Sequence, residues 1–301
     1  MKTLVFSFLF LSTSAFSQSF MPPNDLDKYD TLDSRSTSGI TEVQFNSVID
    51  RAEKIFKPII AAHGASFTVN RLWTDSTVNA NASQPSDTHW EVNMYGGLAR
   101  RKEVTEDGFA LVLCHEIGHQ VGGYPYTGSQ DWAANEGQSD LFATMACAWK
   151  VFSQDTMRGL IAQDSLPASV IALCDAHHKD VTMRGICYRT MLAGKSLADL
   201  LAALGSTKAA FDTPDKTIVG ETDNNHPAAQ CRLDTYMAGA ICGNYKWDYS
   251  LIPGKGMDDQ NSIAAQKEAF DHSCSVGPYT EGTRPLCWFH PLGATDIPVS
   301  N

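Results

Sequence analysis

His115-Glu116-Ile117-Gly118-His119 closes an apolar run, Phe109-Ala110-Leu111-Val112-Leu113-Cys114, that begins after Gly108 and stops at Gly122-Gly123. An apolar run ended by glycines reads as a helix. On a helix, residues four apart share a face, so the His115 and His119 imidazoles can reach one ion. Glu116 lies one step round, close enough to take a proton from a water on that ion. Small Gly118 leaves room for close packing. Zinc is therefore the expected cofactor, one ion per chain, with His115 and His119 among its ligands. The plain alternative is a solvated helix face with two unrelated histidines, and the apolar flanks argue against it.

A catalytic zinc usually takes three protein ligands and keeps one position open. The longer pattern HExxHxxGxxH holds through Gly122 but places Pro125 where its third histidine should be. Downstream, Asp131 to Val151 reads as the next helix and carries Glu136-Gly137-Gln138-Ser139-Asp140. Glu136 and Asp140 share a face. Glu136 is the expected third ligand, and Asp140 the expected partner of the far nitrogen of a zinc histidine. Trp132, Leu141, Phe142 and Met145 make the same helix largely apolar. Carboxylates in such surroundings need a compensating partner, which a metal supplies.

The chain has 301 residues, 43% hydrophobic and 19% charged, as expected of a globular protein with a sizeable core. A net charge of -11 argues against a nucleic-acid partner. MKTLVFSFLFLSTSAFS has the charged start, apolar centre and small-residue end of a secretory signal peptide, giving residues 1–17 as signal with cleavage near Ser17/Gln18. No later apolar run is long enough to span a membrane. The expected location is thus secreted or periplasmic. All 8 cysteines follow the signal, which favours disulfides. Spacing suggests local pairs, Cys174 with Cys187, Cys231 with Cys242 and Cys274 with Cys287, leaving Cys114 for Cys147.

Residues 18–38 are polar and proline-containing and read as a flexible lead-in. A helix is expected from Thr41, its cap, to Gly64. Three β segments follow: Phe67–Trp73, a weaker Thr77–Asn81, and Trp90–Tyr95 closed by Gly96-Gly97. Residues 160–204 look mainly helical, 212–227 read as a polar loop, and Ala228–Tyr245 as a helix. The tail reads as loop-rich. The expected fold is α+β, mainly helical, with a small antiparallel or mixed sheet. Residues 39–245 would form the main domain, with a cysteine-containing C-terminal region, 246–301, packed on it.

Three elements together, His115–His119, Glu136–Asp140 and His226-Pro227 followed by Arg232, resemble the gluzincin metallopeptidases. Within that group the chain is similar to the family of CAAX prenyl proteases and related periplasmic oligopeptidase-like and quality-control proteases. The similarity runs from Trp90 to Arg232. It implies a zincin-like domain and peptide-bond hydrolysis by a zinc-activated water, with Glu116 as general base. It also implies a catalytic His226 near the zinc, and an Arg232 that helps hold the site or stabilises negative charge. Read from the residues alone, His226-Pro227 is also a plain helix start, and Arg232 can pair with Asp234 or Asp140. Tyr124 and Tyr126 are candidate oxyanion donors, or ordinary loop residues.

The sequence departs from that family in its short gap between His119 and Glu136, its lack of membrane helices and its many cysteines. The expected substrate is a peptide or unfolded protein. Trp90–Leu98 is the expected edge strand, to which an extended substrate could add by backbone pairing. No pro-segment is evident beyond Gln18 to Ser38, although the C-terminal region could cover the cleft. Other readings share the zinc motif: a binding or chaperone-like protein on the same scaffold with weak or no peptidase activity, or a zinc hydrolase acting on cell-wall peptide. A disulfide-stapled structural protein needs the motif to be coincidental.

Overall fold

A computed structural model describes residues 17–29, 39–128, 131–153, 166–242, 247–273 and 283–293. The expected signal peptide lies almost wholly outside them. Thr41 starts helix α1 (Glu42–Ala62) through a capping box: its hydroxyl accepts the Gln44 backbone N–H, and the Gln44 side chain accepts that of Thr41. Phe45, Val48, Ile49, Ala52, Phe56 and Ile60 form the buried stripe of α1. Gly64, at φ 85°, turns the chain into the sheet.

The sheet among the described residues has four strands in the order β1-β3-β4-β2. They are β1 (Gln18–Ser19), β2 (Ser66–Leu72), β3 (Ala80–Ser86) and β4 (His89–Tyr95). The sheet is mixed, since β2 and β4 run parallel while β1–β3 and β3–β4 run antiparallel. Trp90, Val92 and Met94 alternate into the core, and on the opposite face Asn70, Asn93 and Asn81 hydrogen-bond in a ladder across three strands.

Two sequence expectations about the sheet fail. The weak strand at Thr77–Asn81 is displaced to Ala80–Ser86. Pro85, which argues against a strand, sits where the β3–β4 register is irregular, between Ser83 and Ser86, and so breaks no regular ladder. Trp90–Tyr95 is not an edge, because β4 pairs on both sides, and Gly96–Ala99 forms the short helix α2. Alternation shows that one face is buried but not how many neighbours a strand has.

Helix α3 (Glu106–Val121), capped by Thr105, is buried at every residue from Gly108 to Val121. It is enclosed by α1, the sheet and α7 (Val181–Ala202). The next helical stretch begins at Glu136, not Asp131: α4 (Glu136–Phe142) runs through a π-helical segment, Ala143–Cys147, into α5 (Ala148–Ser153). Asn135 caps α4, while Ala134 is held extended by a bridge to Tyr126. After α6 (Ala168–His177) and α7, helix α8 (Ala229–Ile241) packs against α7 and α4. The tail also contains a helix missed in the sequence, α9 (Ile263–Asp271), capped by Ser262.

Residues 18–29 are not a loose lead-in. Gln18–Ser19 pairs with β3, Phe20 and Met21 are fully buried, and Leu26–Tyr29 forms a 3-10 turn. Polar composition hid two apolar anchors with long-range partners. Disulfides Cys114–Cys147 and Cys174–Cys187 match expectation, but Cys231 bonds Cys287. The local pairs Cys231–Cys242 and Cys274–Cys287 are thereby excluded; Cys274 itself lies outside the described residues. Proximity along the chain misled because the C-terminal region folds back on α8.

The Cys231–Cys287 bond closes a separation of 56 residues. Replacing both cysteines by Ala is expected to lower unfolding free energy by about 2–4 kcal/mol. Denaturant titration checks the size, and peptide mapping without reductant should recover the linked pair.

Candidate metal centre

Helices α3 and α4 meet backbone to backbone. A Cβ on Gly118 would stand 2.9 Å from the Ser139 carbonyl oxygen, so only glycine permits this approach. The contact brings Glu136 against the histidine pair. Its Oε2 lies 3.3 Å from His115 Nε2 and its Oε1 lies 3.5 Å from His119 Nε2. One ligand atom from each of His115, His119 and Glu136 falls within 4.8 Å of the others.

The outward nitrogens are committed elsewhere. His115 Nδ1 donates to Asp140 Oδ1 at 2.7 Å, and His119 Nδ1 donates to the Ala134 carbonyl at 2.7 Å, with Ser139 Oγ 2.9 Å away. These bonds set the tautomers and turn both Nε2 lone pairs inward. His115 Nε2, His119 Nε2, Glu136 Oε2 and both Glu116 oxygens are buried without a hydrogen-bond partner. Two imidazoles and a carboxylate fit a zinc ion with one coordination position left over.

Asp140 anchors the surrounding network. Arg232 grips it bidentately, Nε to Oδ2 at 2.6 Å and Nη2 to Oδ1 at 2.7 Å, and the Tyr236 hydroxyl donates to Oδ1 at 2.8 Å. All three side chains are fully buried. Burial opposes the Asp140 charge, but Arg232 and His115 outweigh it and hold the carboxyl at about 2. Burial also opposes charge on His115, yet Asp140 and Glu136 raise it to about 9. Burial drives His119 down to about 4, and drives Glu116 up to about 8 with Glu136 adding to the rise.

His115, Glu116, His119, Glu136, Asp140 and Arg232 converge as the sequence suggested. Arg232 is settled on Asp140; Asp234 instead accepts the Asp215 backbone N–H and the Gln230 amide. His226 sits at the rim, with Nε2 3.7 Å from Glu136 Oε1 and donating to the Ser19 carbonyl at 2.7 Å. Tyr124 and Tyr126 turn away, donating to Gln266 and to the Pro253 carbonyl in the C-terminal region. Sequence reasoning missed Tyr236, although its spacing of four from Arg232 was a usable sign. It also missed Ser139, the Ala134 carbonyl and Phe20, which nothing local marks.

Gly137 carries a second tight approach, since a Cβ there would lie 2.2 Å from the Trp288 ring. Trp288 is fully buried and donates to Thr235 Oγ1 on α8, so it has little freedom to move. Gly137→Ala is therefore expected to lose about 1–3 kcal/mol of stability by overpacking. It should also shift Glu136 away from His115 and His119, and so weaken any divalent-metal binding there, measurable by calorimetric titration. No protein-family model, curated protein or solved structure matches this chain.

Proposed function

We propose that the chain is a secreted zinc-dependent metalloendopeptidase that hydrolyses peptide bonds, with Glu116 as general base. The observation that carries this reading is the set of inward-facing buried atoms without partners on His115, His119, Glu136 and Glu116. An unsatisfied buried polar group costs about 1–3 kcal/mol. Several at one point would consume much of the roughly 5–15 kcal/mol that stabilises an ordinary domain. An ion held by the first three residues removes that penalty. The disulfides Cys114–Cys147, Cys174–Cys187 and Cys231–Cys287 support an oxidising compartment outside the cytosol.

When bound, zinc supplies Lewis acidity to a water and to the scissile carbonyl. Asp140, held by Arg232 and Tyr236, fixes the His115 ring, while Ala134 and Ser139 fix that of His119. Glu116, next to His115 and unencumbered by hydrogen bonds, takes the water proton and returns it to the leaving amine. His226 and Arg232 both donate to main-chain carbonyls, those of Ser19 and Phe20, beside Glu136. Either can therefore stabilise a peptide oxyanion.

Purified protein is expected to contain stoichiometric zinc and to cleave casein in a chelator-sensitive way. Zinc without cleavage would leave a binding role on this scaffold, and absence of zinc would remove the enzyme reading.

A further inference from the structure

Gln18–Ser19 and the residues that follow lie between β3 and the buried histidine cluster. Gln18 and Ser19 pair antiparallel with Ala82 and Asn81 on the free side of β3. Phe20 N–H donates to the Ala80 carbonyl at 3.1 Å. The Asn79 side chain then binds Met21 twice, accepting from its N–H at 3.0 Å and donating to its carbonyl at 3.0 Å. Asn24 extends the contact to the Val78 carbonyl at 3.2 Å. The segment thus covers the start of β3, Ala80 to Ala82, and the two residues before it, Val78 and Asn79.

On its other side the same segment touches the metal centre. His226 donates to the Ser19 carbonyl, and Arg232 Nη1 donates to the Phe20 carbonyl at 2.6 Å. The Phe20 ring meets His115 edge-on, with centroids 5.2 Å apart, and the Arg232 guanidinium lies 4.4 Å from the ring centroid. The Phe20 backbone runs beside the Glu116 carboxyl, though not in hydrogen-bonding geometry. With the segment in place, His115, Glu116 and His119 are 0% exposed and Glu136 is 2% exposed.

We propose that the flank of β3 is a binding site for an uncharged, extended peptide with an aromatic side chain against His115 and Arg232. Residues Gln18–Met21 are its tethered occupant, and a substrate strand enters only when they are displaced. The proposal rests on the peptidase reading for what the incoming strand is, but not for the docking itself. Strand addition supplies backbone affinity and the aromatic pocket supplies selectivity. A tethered copy competes at an effective concentration on the order of millimolar, which explains how so short a segment can keep the groove filled.

The probe is a fluorescent peptide with the sequence of residues 18–24, added to the zinc-loaded full chain and to its Phe20→Gly and Met21→Gly variants, both of which weaken the segment and leave the groove residues unchanged. Both variants are expected to bind it at least roughly tenfold more tightly than the parent, because their own segment competes less well. They should also yield zinc to a chelator at least roughly tenfold faster. Variants with unchanged near-ultraviolet circular dichroism, unchanged peptide affinity and unchanged zinc release would overturn the proposal.

A measurement without substitutions covers the case in which both variants misfold. Excess peptide should speed hydrogen exchange of the parent's own residues 18–21 by displacing them, and unchanged protection at saturating peptide sinks the idea. Casein cleavage, assayed alongside, separates the two readings. Expected peptide behaviour without any cleavage upholds the groove and rejects the peptidase. Cleavage with unchanged peptide binding, zinc release and exchange rejects the groove alone.

Discussion

Glu116→Gln is expected to keep its zinc and to lose casein hydrolysis by about 10²–10⁴-fold, the usual contribution of a positioned general base. The substitution preserves shape but leaves an amide that cannot accept the proton. Zinc should stay because Glu116 is not among the three clustered groups able to hold an ion, His115, His119 and Glu136. The fold should tolerate the change as well. Burial raises the Glu116 carboxyl to about 8, so near neutrality the ion-free folded chain holds a proton there that the unfolded chain releases. That difference disfavours folding wherever the pH exceeds the ordinary carboxyl value, and a neutral amide removes it. The ion-free variant should therefore melt no lower than the ion-free parent. Zinc analysis, steady-state digestion and calorimetry check the three statements. Undiminished cleavage would exclude Glu116 as the base.

Arg232→Met is expected to cost about 3–5 kcal/mol, because it leaves the Asp140 carboxylate buried without its main counter-charge. Asp140 is fully buried and accepts a bidentate pair of bonds from Arg232, at 2.6 and 2.7 Å. The same arginine also satisfies the Phe20 carbonyl. Lysine should rescue poorly, since one ammonium cannot replace a fork that serves two carboxylate oxygens and a carbonyl. The damage should reach the metal through His115, whose ring Asp140 orients, with zinc affinity falling about 10–100-fold. Adding Asp140→Asn should recover part of the lost stability, a coupling that a double-mutant cycle measures. A loss below about 1 kcal/mol from Arg232→Met would show that Asp140 is held by other means.

Legibility in the sequence followed the range of the interaction. Four-residue spacing on one helix placed His115 with His119, and Glu136 with Asp140, because helical geometry is local and needs no tertiary information. The Thr41 cap, the buried α3 and the one-sided burial of β4 were readable for the same reason. The start of α4 was not. Trp132 to Ala134 continue the helical composition, but the Tyr126 bridge and the His119 ring hold Ala134 extended.

Pairings across long separations were equally hidden. Cys231 lies nearer in sequence to Cys242 than to Cys287, the partner it takes. Arg232 had Asp234 two residues away and chose Asp140, 92 residues distant. The polar stretch after the expected signal gave no sign that Phe20 would be buried against Arg232 and His115. The sequence by itself determined the donor groups and their helical faces. Only the tertiary structure decided which faces meet, how β4 came to be central and what covers the clustered His115, His119 and Glu136. Those outcomes depend on contacts whose energy appears only once distant segments have packed and been desolvated together.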